Sequence, residues 1–354
     1  MPGTGHFAGR KAVRWGIIGC GDVTEVKSGP GFRNAAGSEL VAVMRRNGPL
    51  AADYARRHGV RRWYDNAEAL IADPEVDAVY VATPPGSHAG YALAVAAAGK
   101  PAYVEKPMAR HSAECDRMVE AFGSAGLPLF VAYYRRRLPC FLKVEELIKS
   151  GSLGRITGVS WRVSEPNHRK GDQWRTDPGL AGAGFFLDLA SHALDLLDYL
   201  LGPLGAVAGS AANLASAYDV EDTVALSFRT ASGVPGSMLC NFASAGRDDT
   251  MRIAGTEGEI AFPLFRSEPF KWEDAAGVHV IDEPYPPHVA QPLIQTVVDD
   301  LLGRGACPST GESARRTSRV MDKALEGYYG GRDDAFWTRP ETWPGRRGAV
   351  NSHQ

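Results

Sequence analysis

The chain has 354 residues, a formal charge of −2, 44% hydrophobic and 23% charged residues, the composition of a soluble globular protein with room for two domains. Its basic runs are short (Arg56-Arg57, Arg61-Arg62 and Arg135-Arg136-Arg137), so no stripe for nucleic acid is present. Five scattered cysteines give neither a disulfide framework nor a zinc spacing; with no signal-like stretch and no apolar run near ~18 residues, the expectation is a cytoplasmic protein without a membrane span.

The first part of the chain alternates strand and helix. Short apolar runs at 13–18, 40–44, 78–82, 102–105 and 129–132 suit strands buried on both faces. Helical patterns between them end in glycine: 50–58 before Gly59, 88–98 before Gly99 and Pro101, 112–125 before Gly126. This order predicts βαβ units and a parallel, doubly wound sheet over residues 11–136. After a helix at 139–150 the pattern changes. Strands at 155–165, 207–214, 222–230, 234–244, 250–262 and 278–283 follow one another across turns such as Ala231-Ser232-Gly233 and Glu257-Gly258. They predict a large, mainly antiparallel sheet in an α+β domain spanning 137–332. Helices are expected at 184–201, 288–302 and 312–329, the last opened by a capping box at Ser309-Thr310-Gly311-Glu312. Residues 333–354 show no period and read as an extended tail.

The first strand runs into Gly19-Cys20-Gly21-Asp22-Val23-Thr24, a dinucleotide loop with threonine in the third glycine position. Gly19 permits the tight turn, and Gly21 lets backbone approach a pyrophosphate. Thr24 implies looser helix–strand packing. The second strand ends Met44-Arg45-Arg46-Asn47, with no acidic residue from 40 to 52 to hold a ribose 2′-hydroxyl. Two guanidiniums there suit a 2′-phosphate. A charge-assisted hydrogen bond contributes roughly 1.5–3 kcal/mol, about one to two decades in affinity, so NADP(H) is expected to be preferred, with NAD(H) possible.

Chemistry-bearing residues follow the later strands. Thr83-Pro84-Pro85-Gly86-Ser87-His88 is a stiff loop beyond the third apolar run, placed to hold a nicotinamide ribose; Glu105-Lys106-Pro107 follows the fourth. Asp188, His192 and Asp195 share one face of a helix whose other faces are apolar. Ionisable groups at that spacing need a purpose or a partner. The expectation is that Lys106 and His192 handle a proton beside the coenzyme.

Gly19-Cys20-Gly21, Glu105-Lys106-Pro107, Tyr134-Arg135-Arg136, residues 150–156, Gln173-Trp174-Arg175 and the Asp188-to-His192 segment together resemble the Gfo/Idh/MocA oxidoreductases. The segment Val43–Arg46 and the Trp174-Arg175 pair are most similar to the NADP-dependent 1,5-anhydrofructose reductase branch. The resemblance covers about residues 12–330. It implies a Rossmann domain followed by an open-sheet domain that makes oligomer contacts, here a homodimer or homotetramer. It also implies that Lys106 contacts substrate and nicotinamide ribose, that Asp188 and His192 face the substrate, and that Trp174 and Arg175 lie by the cofactor. Ala183 departs from the family's Gly-Gly-Gly run at the helix entrance. Tyr134, Arg135, Trp161, His168 and His288 are expected to line the substrate side. The reaction read from these residues is NADP-dependent hydride transfer at a C–OH/C=O carbon of a small carbohydrate-like substrate. Its rivals are a redox glycosidase with retained nicotinamide and a non-catalytic NADP-sensing regulator.

Overall fold

Five short apolar runs and one exposed edge strand form one parallel sheet in the computed structural model, which describes residues 3–166, 174–333 and 335–346. The strands are β1 (Val13–Ile18), β2 (Ser38–Met44), β3 (Arg62–Tyr64), β4 (Ala78–Val81), β5 (Ala102–Val104) and β6 (Leu129–Val131). Their order is β3-β2-β1-β4-β5-β6, and every pairing is parallel. The strand order therefore reverses between β1 and β4, where this class of sheet opens a crevice for ligands. Helices α1 (Asp22–Val26), α2 (Ser28–Asn34), α3 (Gly48–His58), α4 (Ala67–Ala72), α5 (His88–Ala97) and α6 (Ser112–Ser124) connect the strands. Four of these elements, β3, α1, α2 and α4, lie outside the predicted ones. β3 is a three-residue edge strand with Trp63 47% exposed, so it shows no apolar run. The α1–α2 segment is broken at Lys27. Gly29 is required just after it, because a Cβ there would stand 2.1 Å from the Thr24 carbonyl oxygen.

The second sheet has eight strands: β7 (Ile156–Ser164), β8 (Leu204–Ala212), β9 (Thr223–Thr230), β10 (Pro235–Asn241), β11 (Asp248–Gly255), β12 (Gly258–Phe262), β13 (Phe270–Asp274) and β14 (Gly277–Ile281). The order is β14-β13-β12-β11-β7-β10-β9-β8; only β7 and β10 pair in parallel. The expected 250–262 strand is a hairpin turning before Gly258. Alternation decides which face is covered. On β9, Val224, Leu226 and Phe228 are buried while Ala225, Ser227 and Arg229 are exposed. Helices α7 (Pro139–Lys149), α8 (Pro178–Ala181) and α9 (Phe185–Leu201) belong with this sheet. The stretch Pro178–Leu201 is long and apolar enough to cross a membrane, contrary to expectation; 83% of its most apolar window is buried inside the protein.

The chain forms two compact units, and the boundaries correct the expected ones. Residues 286–315 join the first unit. Helix α10 (Gln291–Leu301) shares a core with Trp15 and Phe32 through Leu293, Ile294, Val297, Val298 and Leu301. The segment 335–346 is no extended tail. Trp343 is 1% exposed, packs against Tyr328, Tyr329 and Phe336, and donates its indole N–H to the Phe336 carbonyl at 3.1 Å. The last long helix, α11 (Gly311–Tyr329), is opened by Thr310 and Ser313, which exchange side-chain bonds with each other's amides. Ser309 instead donates its hydroxyl to the Val131 carbonyl at 2.7 Å.

Candidate active site

The β1–α1 loop is shaped by its glycines. Gly19 has φ +94°, and a Cβ there would lie 2.7 Å from Thr83 Cγ2; around Gly21 nothing lies within 4 Å of that position. The amides of Gly19 and Cys20 both donate to the Met44 carbonyl, at 2.9 and 3.1 Å. They tie the loop to the end of β2. The amides of Gly21, Asp22 and Val23 find no acceptor among the described residues, which leaves three donors in a row at the switch point. Thr24 is fully buried and its hydroxyl donates to the Gly21 carbonyl at 2.7 Å, so it closes the turn rather than loosening it. A Gly19→Ala protein is expected to lose about 1–3 kcal/mol of stability, from strain at that φ, checked by its urea midpoint. An unchanged midpoint would show that the loop yields.

Arg45 and Arg46 are exposed at the end of β2, and neither forms an ion pair among the described residues. Asn47 caps α3 by accepting the Leu50 amide at 3.1 Å. The free amide donors at the switch point fit the pyrophosphate of a dinucleotide.

Three expected cofactor residues face inward instead. Cys20 is 1% exposed within the apolar core, its amide is committed to Met44, and burial pushes its thiol up to about 11. His88 is fully buried, and its ring bridges the carbonyl oxygens of Thr83 (2.6 Å) and Pro107 (3.0 Å). It fastens the Thr83-Pro84-Pro85 loop to the loop after β5. Glu105 accepts the Tyr80 hydroxyl at 2.5 Å and the Lys106 amide at 3.1 Å. Burial raises its carboxyl above the usual range despite these donors and the Lys106 charge. Below it Tyr80 stacks on Tyr103 at 5.1 Å. These groups hold the backbone at Lys106, where the bond to Pro107 is cis. Ser87 donates to the Thr83 hydroxyl at 2.7 Å and stiffens the neighbouring loop.

Lys106, Tyr134, Arg135 and His288 all belong to the first unit. The Arg135 guanidinium lies 5.0 Å from the Tyr134 ring. Burial would raise the Tyr134 phenol, but the charges of Arg135, Lys27 and Lys106 outweigh it and hold the group below its ordinary value. Lys27 is the residue that sequence reasoning missed here; it sits in the α1–α2 break, where no period marks it. His288 is half-buried, and its Nδ1 has no partner among the described residues.

The second unit carries the helical pair. Asp188 and His192 stand on the first two turns of α9, and His192 is 3% exposed with its ring edge-on to Phe265 at 6.1 Å. Arg175, expected at the cofactor, donates from Nε to Asp188 Oδ2 at 2.9 Å while its guanidinium stacks over Trp174 at 4.4 Å. Trp174 is 38% exposed. Asp195 is buried, and Asp198 holds Arg316 of α11 through two bonds of 2.9 and 2.6 Å. Trp161 corrects its expected place on the substrate side. It is 1% exposed, and its indole N–H donates to Asp249 at 3.2 Å. The other Asp249 oxygen takes the Phe265 amide at 2.7 Å, so Trp161 builds the floor behind Phe265 and His192. His168 and Gln173 lie outside the described residues. All five cysteines are buried.

Comparison with known proteins agrees with both sheets. Residues 13–133 match the oxidoreductase family with an NAD-binding Rossmann fold, and residues 141–261 match the GFO/IDH/MocA C-terminal domain. "Oxidoreductase P35" of Formosa agariphila is 37% identical over 327 residues, covering 88% of this chain and 97% of that protein. The 1,5-anhydro-D-fructose reductase of Ensifer adhaerens is 32% identical over 70% of this chain and 74% of its own length. Levoglucosan dehydrogenase in complex with NADH superposes with a TM-score of 0.79 at 25% identity, over 89% of this chain and 97% of that one. With the switch-point loop, the two sheets and these matches in agreement, the chain belongs to the Gfo/Idh/MocA family of NAD(P)-dependent oxidoreductases.

Proposed function

We propose that this protein is an NADP(H)-preferring oxidoreductase acting at a C–OH/C=O carbon of a sugar or polyol-like substrate. The observation that carries the coenzyme preference is the pair of guanidiniums, Arg45 and Arg46, exposed at the end of β2 and in no ion pair among the described residues. The substrate class is supported by relatives that are named for anhydrosugars, the 1,5-anhydro-D-fructose reductase and a levoglucosan dehydrogenase 32% identical over 253 residues. When bound, the coenzyme supplies or accepts a hydride at its nicotinamide C4.

The chain's own residues do the rest. The amides of Gly21, Asp22 and Val23 would hold the pyrophosphate of the coenzyme, and the Thr83-Pro84-Pro85 loop would support its ribose. In the reductive direction His192 gives a ring proton to the oxygen that becomes an alkoxide, and Asp188 binds a neighbouring hydroxyl or orients the ring. Arg175 pairs with Asp188 at 2.9 Å and fixes the direction of its carboxylate for that task. Lys106 supplies the positive charge that a developing alkoxide requires. Tyr134 and Arg135 offer donors to further hydroxyls of the substrate. The reading extends to a cytoplasmic homodimer or homotetramer. The open face of the eight-stranded sheet, a shallow groove of about 840 Å³ lined by Ser160, Ser210, Ser227 and Thr250, supports assembly there.

The decisive experiment is a panel of sugars, anhydrosugars, polyols and keto-sugars with NADPH and NADP, read at the nicotinamide absorbance. Stoichiometric coenzyme turnover with one class is the expected result. Substrate loss without net coenzyme consumption would instead indicate a redox glycosidase, and tight NADPH binding with no turnover on any member would indicate a sensor.

A further inference from the structure

Glu221 precedes β9 and is fully buried. Its two carboxylate oxygens accept the Gly184 amide at 3.0 and 3.2 Å, and the Tyr329 hydroxyl donates to one of them. Gly184 is the N-cap of α9 and has no side chain with which to cap it. Glu221 therefore supplies, from the segment before β9, the acceptor that a helix start needs, with the charge that its dipole favours. A Cβ on Gly184 would lie 2.4 Å from the Glu221 carbonyl oxygen, so the fit excludes any other residue.

The other end of the same turn is also gripped. Arg332, 7% exposed, donates to the Gly182 carbonyl at 2.8 Å and to the Arg110 carbonyl, and its second arm binds Asp322 at 2.7 Å. Gly182 adopts φ +90° with a virtual Cβ 2.7 Å from Arg110 Cα. Ala183 between them is buried and free of such a constraint, which is why alanine is accepted where relatives were expected to carry glycine.

We propose that Glu221 and Arg332 are positioning residues that clamp the Gly182-Ala183-Gly184 turn and thereby set the register and roll of α9, on which Asp188 and His192 stand. The proposal rests on the assignment of those two residues to the reaction. The clamp is directional: a carboxylate fixes the amide end and a guanidinium the carbonyl end, so the helix can neither slide nor rotate without breaking a charge-assisted bond.

The clamp also carries a signature. Burial pushes the Glu221 carboxyl up to about 7, against the lowering effects of the Tyr329 hydroxyl and the Arg332 charge. The groups facing it are Tyr218, Tyr328, Tyr329 and Cys240, all raised by burial and so neutral, together with Arg332. Adjacent Asp222 spends its oxygens on the amides of Leu214, Ala215 and Ser216. Because the folded value lies above the ordinary 4.5, the stability contributed by Glu221 is full below that pH and is lost as pH rises through about 7. The clamp needs the anion, so turnover rises over the same window in which stability falls. A purely structural carboxyl would move both in the same direction.

The test compares the intact protein with Glu221→Gln. Turnover and urea midpoints are followed from about pH 5 to about pH 9, and hydrogen exchange is followed at residues 185–189. The variant should keep its NADPH dissociation constant and KM but lose about ten- to a hundredfold in kcat above neutrality, the scale of a displaced catalytic group. Its kcat should no longer rise through neutral pH, its urea midpoint should stop falling over that range, and the first turn of α9 should exchange faster. An unchanged kcat profile, or a kcat loss that merely follows lost stability, overturns the proposal. Arg332→Lys keeps the charge but not the fork, and it should show the same exchange increase and kcat loss if Glu221→Gln does not fold. If no substrate is turned over by the unaltered protein, the assigned reaction fails; the exchange measurement then decides the clamp alone, and unchanged exchange at 185–189 refutes it.

Discussion

Replacing His192 by alanine is expected to lower turnover by about 10²–10⁴-fold, the usual worth of a positioned general acid. The ring is buried on α9 against Phe265, and that residue is held in turn by Asp249. Removing the imidazole leaves this frame in place, so the NADPH dissociation constant and the urea midpoint should change little. Lys106→Ala should behave similarly: the loop that carries the lysine is held by Glu105, His88 and Tyr80, none of which needs the ammonium. Single-turnover rates measured with NADPH at saturating substrate check both variants. Near-full turnover in either would remove that residue from the proton-handling role.

The second large effect concerns the coenzyme. The NADPH dissociation constant should be one to two decades below that of NADH, and Arg45→Ala with Arg46→Ala should abolish the difference by weakening NADPH alone. Both side chains are exposed and outside any described ion pair, so their removal should leave the midpoint of unfolding unchanged. Titration of protein fluorescence with each coenzyme measures the constants. Equal affinities in the unaltered protein would sink the claim.

Much of this site was legible from residue order. The Gly19 turn, the arginines closing β2, the Glu105-Lys106-Pro107 exit and the Asp188–His192 spacing all lie where the sequence pattern put them. What the motifs left open was the direction of single side chains. Cys20, His88 and Glu105 sit in the right loops but point into the unit, and Trp161 is core. Motif position selects a loop; it does not say which way each side chain turns, because neighbouring side chains compete for the same outward path.

Glycine punctuation and the spacing of apolar residues determined the two kinds of sheet and the helices of ten residues or more, since both act through steric and burial rules that operate over a few residues. The tertiary structure alone decided that α10 joins the first core, that Arg175 serves Asp188, and that Glu221 caps α9. Each of these pairs residues far apart in the chain. Their partners are chosen by which buried polar groups remain unsatisfied once the core has packed, a sum over the whole unit that no local window contains.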